Sequence, residues 1–179
     1  MTKNNTRFLL QFTAPYPIMV VQSGSKWWEM VKFPAEWRRS TLTGEYQHSL
    51  DNKGRLFIPA KLRDELGEVF FVTLSMERCL CAYSSENWAE FSAKVNAMPY
   101  IKQRKMRPLF AHAARCELDS QGRALIPQNL RQYAGLTKSV TVVGCNNHAE
   151  LWDSDSWKAV FELETTPENI AAVMEELEF

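Results

Sequence analysis

The feature that most constrains this chain is a phrase that it contains twice. Asp51-Asn52-Lys53-Gly54-Arg55-Leu56-Phe57-Ile58-Pro59-Ala60-Lys61-Leu62-Arg63 returns 68 positions later as Asp119-Ser120-Gln121-Gly122-Arg123-Ala124-Leu125-Ile126-Pro127-Gln128-Asn129-Leu130-Arg131. Asp, Gly, Arg, Ile, Pro, Leu and Arg fall at equivalent places, and Gly67 answers Gly135. One residue later in phase, Trp88 answers Trp157. Such duplication means two related halves, each too small to bury its apolar face alone.

Each half reads the same way. Glu45 to Leu50 and Ala114 to Leu118 are strand-like. Asp-x-x-Gly then supplies a turn, in which Asp can bond the backbone ahead of it and Gly accepts positive φ. Arg55 to Ile58 and Arg123 to Ile126 are the return strands. Pro59 and Pro127 suit the first position of a short helix that Gly67 or Gly135 ends. Val69 to Leu74 and Ser139 to Val143 are β-rich, and after turns at Met76–Arg78 and Gly144–Asn147 the strands Cys79 to Tyr83 and Ala149 to Trp152 return. Ser84 or Ser85, and Asp153 or Ser154, are candidate caps for helices carrying Trp88 and Phe91, and Trp157 and Phe161. A helical stretch from Ile101 to His112 is bent at Pro108, and Thr166-Pro167-Glu168 opens a final amphipathic helix. Two such units packed about a pseudo-twofold axis would complete a barrel-like core.

Composition bounds the function. At 45% hydrophobic and 12% aromatic, the chain can fill a core. Its formal net charge is zero, whereas nucleic-acid binders are usually basic. The average hides a gradient. Lys94, Lys102, Arg104, Lys105, Arg107 and Arg115 occupy a stretch with no acid, and Glu162 to Phe179 carries six glutamates and no Lys or Arg. This predicts a basic face and an acidic face. Cys79, Cys81, Cys116 and Cys145 form no CxxC pair, so reduced thiols are expected and no metal. No HExxH, P-loop, GxGxxG or Ser-His-Asp order accompanies His48, His112 and His148, which argues against an enzyme, a cofactor and a small-molecule substrate.

Residues 1–41 differ in texture from the rest. Phe8 to Val21 is apolar but broken by Gln11, Pro15 and Pro17, too short to span a bilayer and unlike a secretion signal. Trp37-Arg38-Arg39 can be encoded by TGG-AGG-AGG, which contains a ribosome-binding sequence, and Leu42 by TTG, an alternative start. Residues 1–41 are therefore expected to be an N-terminal extension, disordered or lying upstream of the true start. Residues 42–112 form the first repeat, and 113–179 the second with its acidic helix.

The stretch Gly44 to Arg63, followed by the second Asp-x-x-Gly-Arg…Ile-Pro at Asp119 to Pro127, resembles the MraZ family. The resemblance covers about positions 42 to 179. It implies an α+β, β-rich fold in which two AbrB/MraZ-like pseudo-repeats make a swapped-hairpin double-split β-barrel with flanking helices. It also implies a cytoplasmic, nucleoid-associated transcriptional regulator, a repressor, that assembles as a homo-oligomeric ring. The expected partner is double-stranded DNA carrying direct repeats, in its own promoter region upstream of the division and cell-wall operon. The family's Asp-x-x-x-Arg motif is carried here by Asp51 with Arg55 and by Asp119 with Arg123.

On this reading Arg55 and Arg123 contact DNA, because a planar guanidinium suits phosphate or a guanine edge. Gly54 and Gly122 let the backbone come close, and Lys53 adds a phosphate contact where Gln121 cannot. Asp51 and Asp119 orient the arginines. Lys102, Arg104, Lys105 and Arg107 are possible phosphate contacts, or equally a solvated helix face or subunit contact. The alternative is a ring-forming scaffold for protein partners, without specific DNA readout, which zero net charge favours slightly.

Overall fold

The computed structural model describes residues 41–177, so the expectations for residues 1–41 fall outside it except at Thr41. The chain runs β1 (Leu42–Ser49), β2 (Arg55–Phe57), α1 (Ala60–Leu66), β3 (Val69–Leu74), β4 (Leu80–Ser84), α2 (Ser85–Asn96), α3 (Tyr100–Lys105) and α4 (Arg107–Ala111). It continues as β5 (Ala114–Glu117), β6 (Arg123–Leu125), α5 (Gln128–Tyr133), β7 (Ser139–Asn146), β8 (His148–Asp153), α6 (Ser154–Glu164) and α7 (Pro167–Glu176).

Local chemistry sets most of these boundaries. Pro59 and Pro127 stand one residue before α1 and α5, with φ near the value a proline ring imposes. The Ser84 side chain caps α2 by accepting from Asn87 N, Asp153 caps α6 by accepting from Asp155 N, and Thr166 caps α7 by accepting from Asn169 N. The helical stretch after Pro99 breaks at Met106, and Pro108 sits in the first turn of α4 rather than at a bend. β7 runs on through Gly144 to Asn146, where a turn is expected from sequence, because β1 pairs along its whole length from Leu42↔Asn146 to Ser49↔Ser139. A distant partner supplies hydrogen bonds that local propensity does not.

Two repeats interweave in one antiparallel sheet of order β1-β7-β8-β4-β3-β5. β1 of the first repeat pairs with β7 of the second, and β5 of the second pairs with β3 of the first. The order reads identically from either end if the repeats are interchanged, so the pseudo-twofold axis passes between β4 and β8, which pair at Cys81↔Glu150. β2 and β6 form a separate two-stranded ribbon, Arg55↔Leu125 to Phe57↔Arg123. No closed barrel is found among the described residues. The ladders that would join ribbon to sheet shrink to single bridges, Leu50↔Leu56 and Leu118↔Ala124. Each ribbon strand ends after three residues, just before a proline that lacks an N–H.

The core lies between the ribbon and one face of the sheet. Leu56, Ile58 and Leu62 are fully buried, as are their repeat counterparts Ala124, Ile126 and Leu130. Phe70 and Val72 of β3 and Val140 and Val142 of β7 meet them from the sheet. Each such aliphatic side chain contributes about 1.5–3 kcal/mol by leaving water. The apolar stripe of α7 is different: Ile170, Val173, Met174 and Leu177 remain exposed. Among the described residues, no helix is long and apolar enough to cross a membrane.

Because the core is shared, the repeats should not unfold separately. Ile126→Ala is expected to cost about 2–5 kcal/mol. Urea unfolding followed by tryptophan fluorescence should show one transition, with Trp88 of the first repeat and Trp157 of the second lost together. A two-step curve in which Trp88 survives would contradict this.

Candidate functional site

The two Asp-x-x-Gly-Arg turns have one geometry. In the first, Gly54 N donates to Asp51 O at 2.9 Å, and Asp51 N donates to Arg55 O at 2.9 Å. Asp51 Oδ1 accepts from the backbone of Lys53 at 2.9 Å and of Arg55 at 2.8 Å. Asp51 Oδ2 accepts from Arg55 Nε at 2.7 Å and lies 2.7 Å from its Nη2. In the second, Asp119 Oδ1 accepts from Gln121 N at 2.9 Å and Arg123 N at 3.0 Å. Its Oδ2 accepts from Arg123 Nε at 2.9 Å and Nη2 at 2.7 Å. One oxygen of each carboxylate therefore closes the turn, and the other grips one edge of a guanidinium.

The ribbon brings these turns together. Arg55 Nη1 lies 3.7 Å from Asp119 Oδ2, so the two ion pairs touch across the repeats. The side chains of Arg55 and Arg123 retain 30% and 26% of their exposure. They are ion-paired and partly covered, yet still reach solvent. A guanidinium has five N–H donors, and each aspartate hydrogen-bonds its own arginine only along the Nε edge. The carboxyls answer electrostatically. Hydrogen bonds from Arg123, side chain first and then backbone, hold the Asp119 pKa down at about 2. The backbone N–H of Arg55 lowers that of Asp51, and its side chain adds to the effect.

A second pair of arginines, Arg63 and Arg131, closes the repeated phrase, and nothing in its spacing marks a role for them. They stand behind the turns of the opposite repeat. Arg131 Nε donates to Ile126 O at 2.9 Å, and a Cβ built on Gly54 would lie 2.7 Å from Arg131 Cζ. Arg63 likewise packs on Gly122 and lies over the Phe57 ring at 5.2 Å. Its buried Nε has no hydrogen-bond partner among the described residues. Gly54 and Gly122 need to be glycine for their φ of 79° and 73°, and the arginines pack into the space that a side chain would take. Reciprocal backbone bonds complete the clamp: Ile58 N donates to Gly122 O at 3.0 Å, and Ile126 N to Gly54 O at 2.9 Å. Equivalence between the repeats was the available signal for Arg63 and Arg131, but the contact crosses from one repeat to the other, which spacing alone does not disclose.

Lys53 is exposed beside the first turn. Lys102, Arg104, Lys105 and Arg107 are exposed too, but on α3 and α4. Those helices pack on the other face of the sheet, where Thr73 donates to Leu109 O and Phe110 meets Trp88. The ribbon covers the face that carries Phe70 and Val72, and successive strand residues point to opposite faces. The basic stretch is therefore not gathered with Arg55 and Arg123. All four cysteines are free, three of them buried.

A family model described as "MraZ protein, putative antitoxin-like" matches this chain twice, over residues 41–107 and 109–175. A protein of Acetivibrio thermocellus named transcriptional regulator MraZ is 48% identical over 119 residues, covering 65% of this chain and 83% of that protein. One of the same name from Caldicellulosiruptor saccharolyticus is 44% identical over 140 residues, covering 76% of this chain and 98% of that protein.

The depressed Asp119 pKa makes a pH prediction. Folding favours the ionised carboxylate, so its stabilising contribution is present above the ordinary value of 3.8 and lost as pH falls towards about 2. Between about pH 4 and pH 2 the urea midpoint of Asp119→Asn is expected to fall less than that of the wild type. Equal slopes would mean that the Asp119–Arg123 pair does not form in solution.

Proposed function

The chain belongs to the MraZ family, and we propose that it is a DNA-binding regulator of transcription whose paired arginines, Arg55 and Arg123, reach the double helix. The observation that carries this reading is the contact between the two Asp–Arg pairs, which sets both guanidinium groups side by side on the ribbon. Asp51 and Asp119 hold the Nε edge of each arginine. The remaining donors suit the paired acceptors of a guanine edge, or a phosphate. An arginine already fixed in its bound geometry loses little side-chain entropy on binding. Gly54 and Gly122 are buried under Arg131 and Arg63, so they serve the turn itself rather than the approach to the duplex, and Lys53 gives the first turn a phosphate contact that Gln121 cannot give the second.

The two relatives are named as transcriptional regulators, which supports the same role here. The finer reading is repression from direct repeats in the protein's own promoter region, ahead of a division and cell-wall operon, by a cytoplasmic, nucleoid-associated protein. Because each aspartate offsets its arginine, one subunit offers weak attraction to phosphate. A ring of subunits would repeat the arginine pairs and gain by effective concentration. The exposed apolar stripe of α7 supports assembly, since a monomer gains nothing by leaving it wet. We read the exchanged first strands as the swapped-hairpin arrangement, with repeats at 42–112 and 113–179. The basic stretch Lys102 to Arg107 serves on this reading as a solvated helix face or a contact between subunits.

Zero net charge favours the second reading, a ring that binds protein partners without specific DNA readout. Fluorescence anisotropy with a duplex from upstream of the protein's own gene, at two salt concentrations, separates the two. The regulator reading expects saturable binding that weakens steeply with salt, is lost in Arg55→Ala and is reduced in Arg123→Ala. Unchanged binding in the double variant would refute the role given to these arginines.

A further inference from the structure

The opposite face of the sheet carries a cluster that the DNA reading leaves unused. In the β4–β8 register Cys81 faces Glu150, and in the β7–β8 register Cys145 faces His148. His148 and Glu150 are two apart on one strand, so all four side chains emerge on the same face. The ligand atoms of Cys81, His148 and Glu150 lie within 4.8 Å of one another. His148 Nε2 is 3.5 Å from Glu150 Oε1, and Cys145, outside that group of three, stands beside it opposite His148. We propose that Cys81, Cys145, His148 and Glu150 form a binding site for one zinc ion, which would tie β4 of the first repeat to β7 and β8 of the second.

The donors fit that metal. Two sulfurs, one imidazole nitrogen and one carboxylate oxygen are the ligand types zinc takes in four-coordinate sites. At ordinary zinc bond lengths, tetrahedral ligand atoms stand about 3.3–3.8 Å apart, so modest side-chain rotations would close the set. The surroundings are those of an oriented metal centre. Asn147 Oδ1 lies 2.8 Å from His148 Nδ1, and an amide oxygen can only accept, so Nδ1 carries a proton, while Nε2 faces the Glu150 carboxylate and would give up its proton to bind the metal. Asn87 Nδ2 in turn donates to Asn147 O at 2.7 Å. Trp152 Nε1 donates to Glu150 Oε2 at 2.8 Å, which fixes the carboxylate and leaves Oε1 towards the cluster. Tyr83 stacks on the His148 ring at 5.2 Å and limits access of water.

The position also makes sense mechanically. The site straddles the pseudo-twofold axis at the β4–β8 pair, one of the strand pairs that join the two repeats. The sequence contains no CxxC motif because the ligands come from three strands, and the register brings them together only in the folded sheet.

Cobalt(II) reports directly on such a site. The full chain, stripped of metal and kept reduced, is titrated with Co²⁺ and then with Zn²⁺. The proposal expects one equivalent of Co²⁺ to bind, with a thiolate-to-cobalt charge-transfer band and the intense visible bands of tetrahedral cobalt, both displaced by Zn²⁺. Cys81→Ser should lose part of the charge-transfer intensity, Cys81→Ser with Cys145→Ser all of it, and His148→Ala the tetrahedral bands, with the far-ultraviolet circular dichroism of the wild type kept, and Cys116→Ala, altered in the core, should keep both bands. Trp152→Phe should weaken binding about 10- to 100-fold by freeing the carboxylate. Absence of the charge-transfer band in the wild type, or its survival at full intensity in Cys81→Ser, would overturn the proposal. If Cys81→Ser does not fold, the wild-type spectrum and Trp152→Phe still decide it.

Discussion

The structure depends on a reciprocal clamp between its two halves. Ile58 N donates to the carbonyl of Gly122, Ile126 N donates to that of Gly54, and the arginine at the end of each repeated phrase packs on the glycine of the other repeat. Each turn is therefore held by the half to which it does not belong. The same exchange governs the sheet, in which β1 and β5 both pair outside their own repeats. Cut from its copy, one repeat would expose the core face of its strands and leave its turn unsupported.

The arginine pair is a consequence of that clamp. The ribbon β2–β6 sets Arg55 opposite Leu125 and Arg123 opposite Phe57, which brings the guanidinium of one turn to the carboxylate of the other. Each Asp spends one oxygen on the backbone of its turn and the other on its arginine. Local stability and arginine orientation thus come from the same residue. Each Asp–Arg pair is neutral, so the turns add no net charge to a chain whose total is zero.

Much of this was legible in the sequence. The repeat, its Asp-x-x-Gly turns, the proline before each short helix and the Ser84 and Asp153 caps rest on local rules, and the structure shows these elements within a residue or two. Long-range pairing was not legible. β7 outruns its sequence signal because β1 lies beside it. The break at Met106 rather than Pro108 reflects proline's tolerance of a first helical turn. Among the described residues no closed barrel is found, because the ribbon strands stop at Phe57 and Leu125, two residues before Pro59 and Pro127. Arg63 and Arg131 were visible as matching letters, but their contacts cross between repeats. Lys102 to Arg107, open in the sequence to a phosphate contact or a solvated helix face, lie across the sheet from the motif.

The most direct test of the central claim observes the two guanidinium groups themselves. In a ¹⁵N-labelled chain, the Nε–H signals of Arg55 and Arg123 are assigned by their loss in Arg55→Lys and Arg123→Lys. They are then followed as a duplex from upstream of the gene is added. The account predicts that both signals shift and saturate together with binding, whereas the Nε–H signal of Arg107 stays in place. Saturable binding that leaves the Arg55 and Arg123 signals unmoved would contradict it.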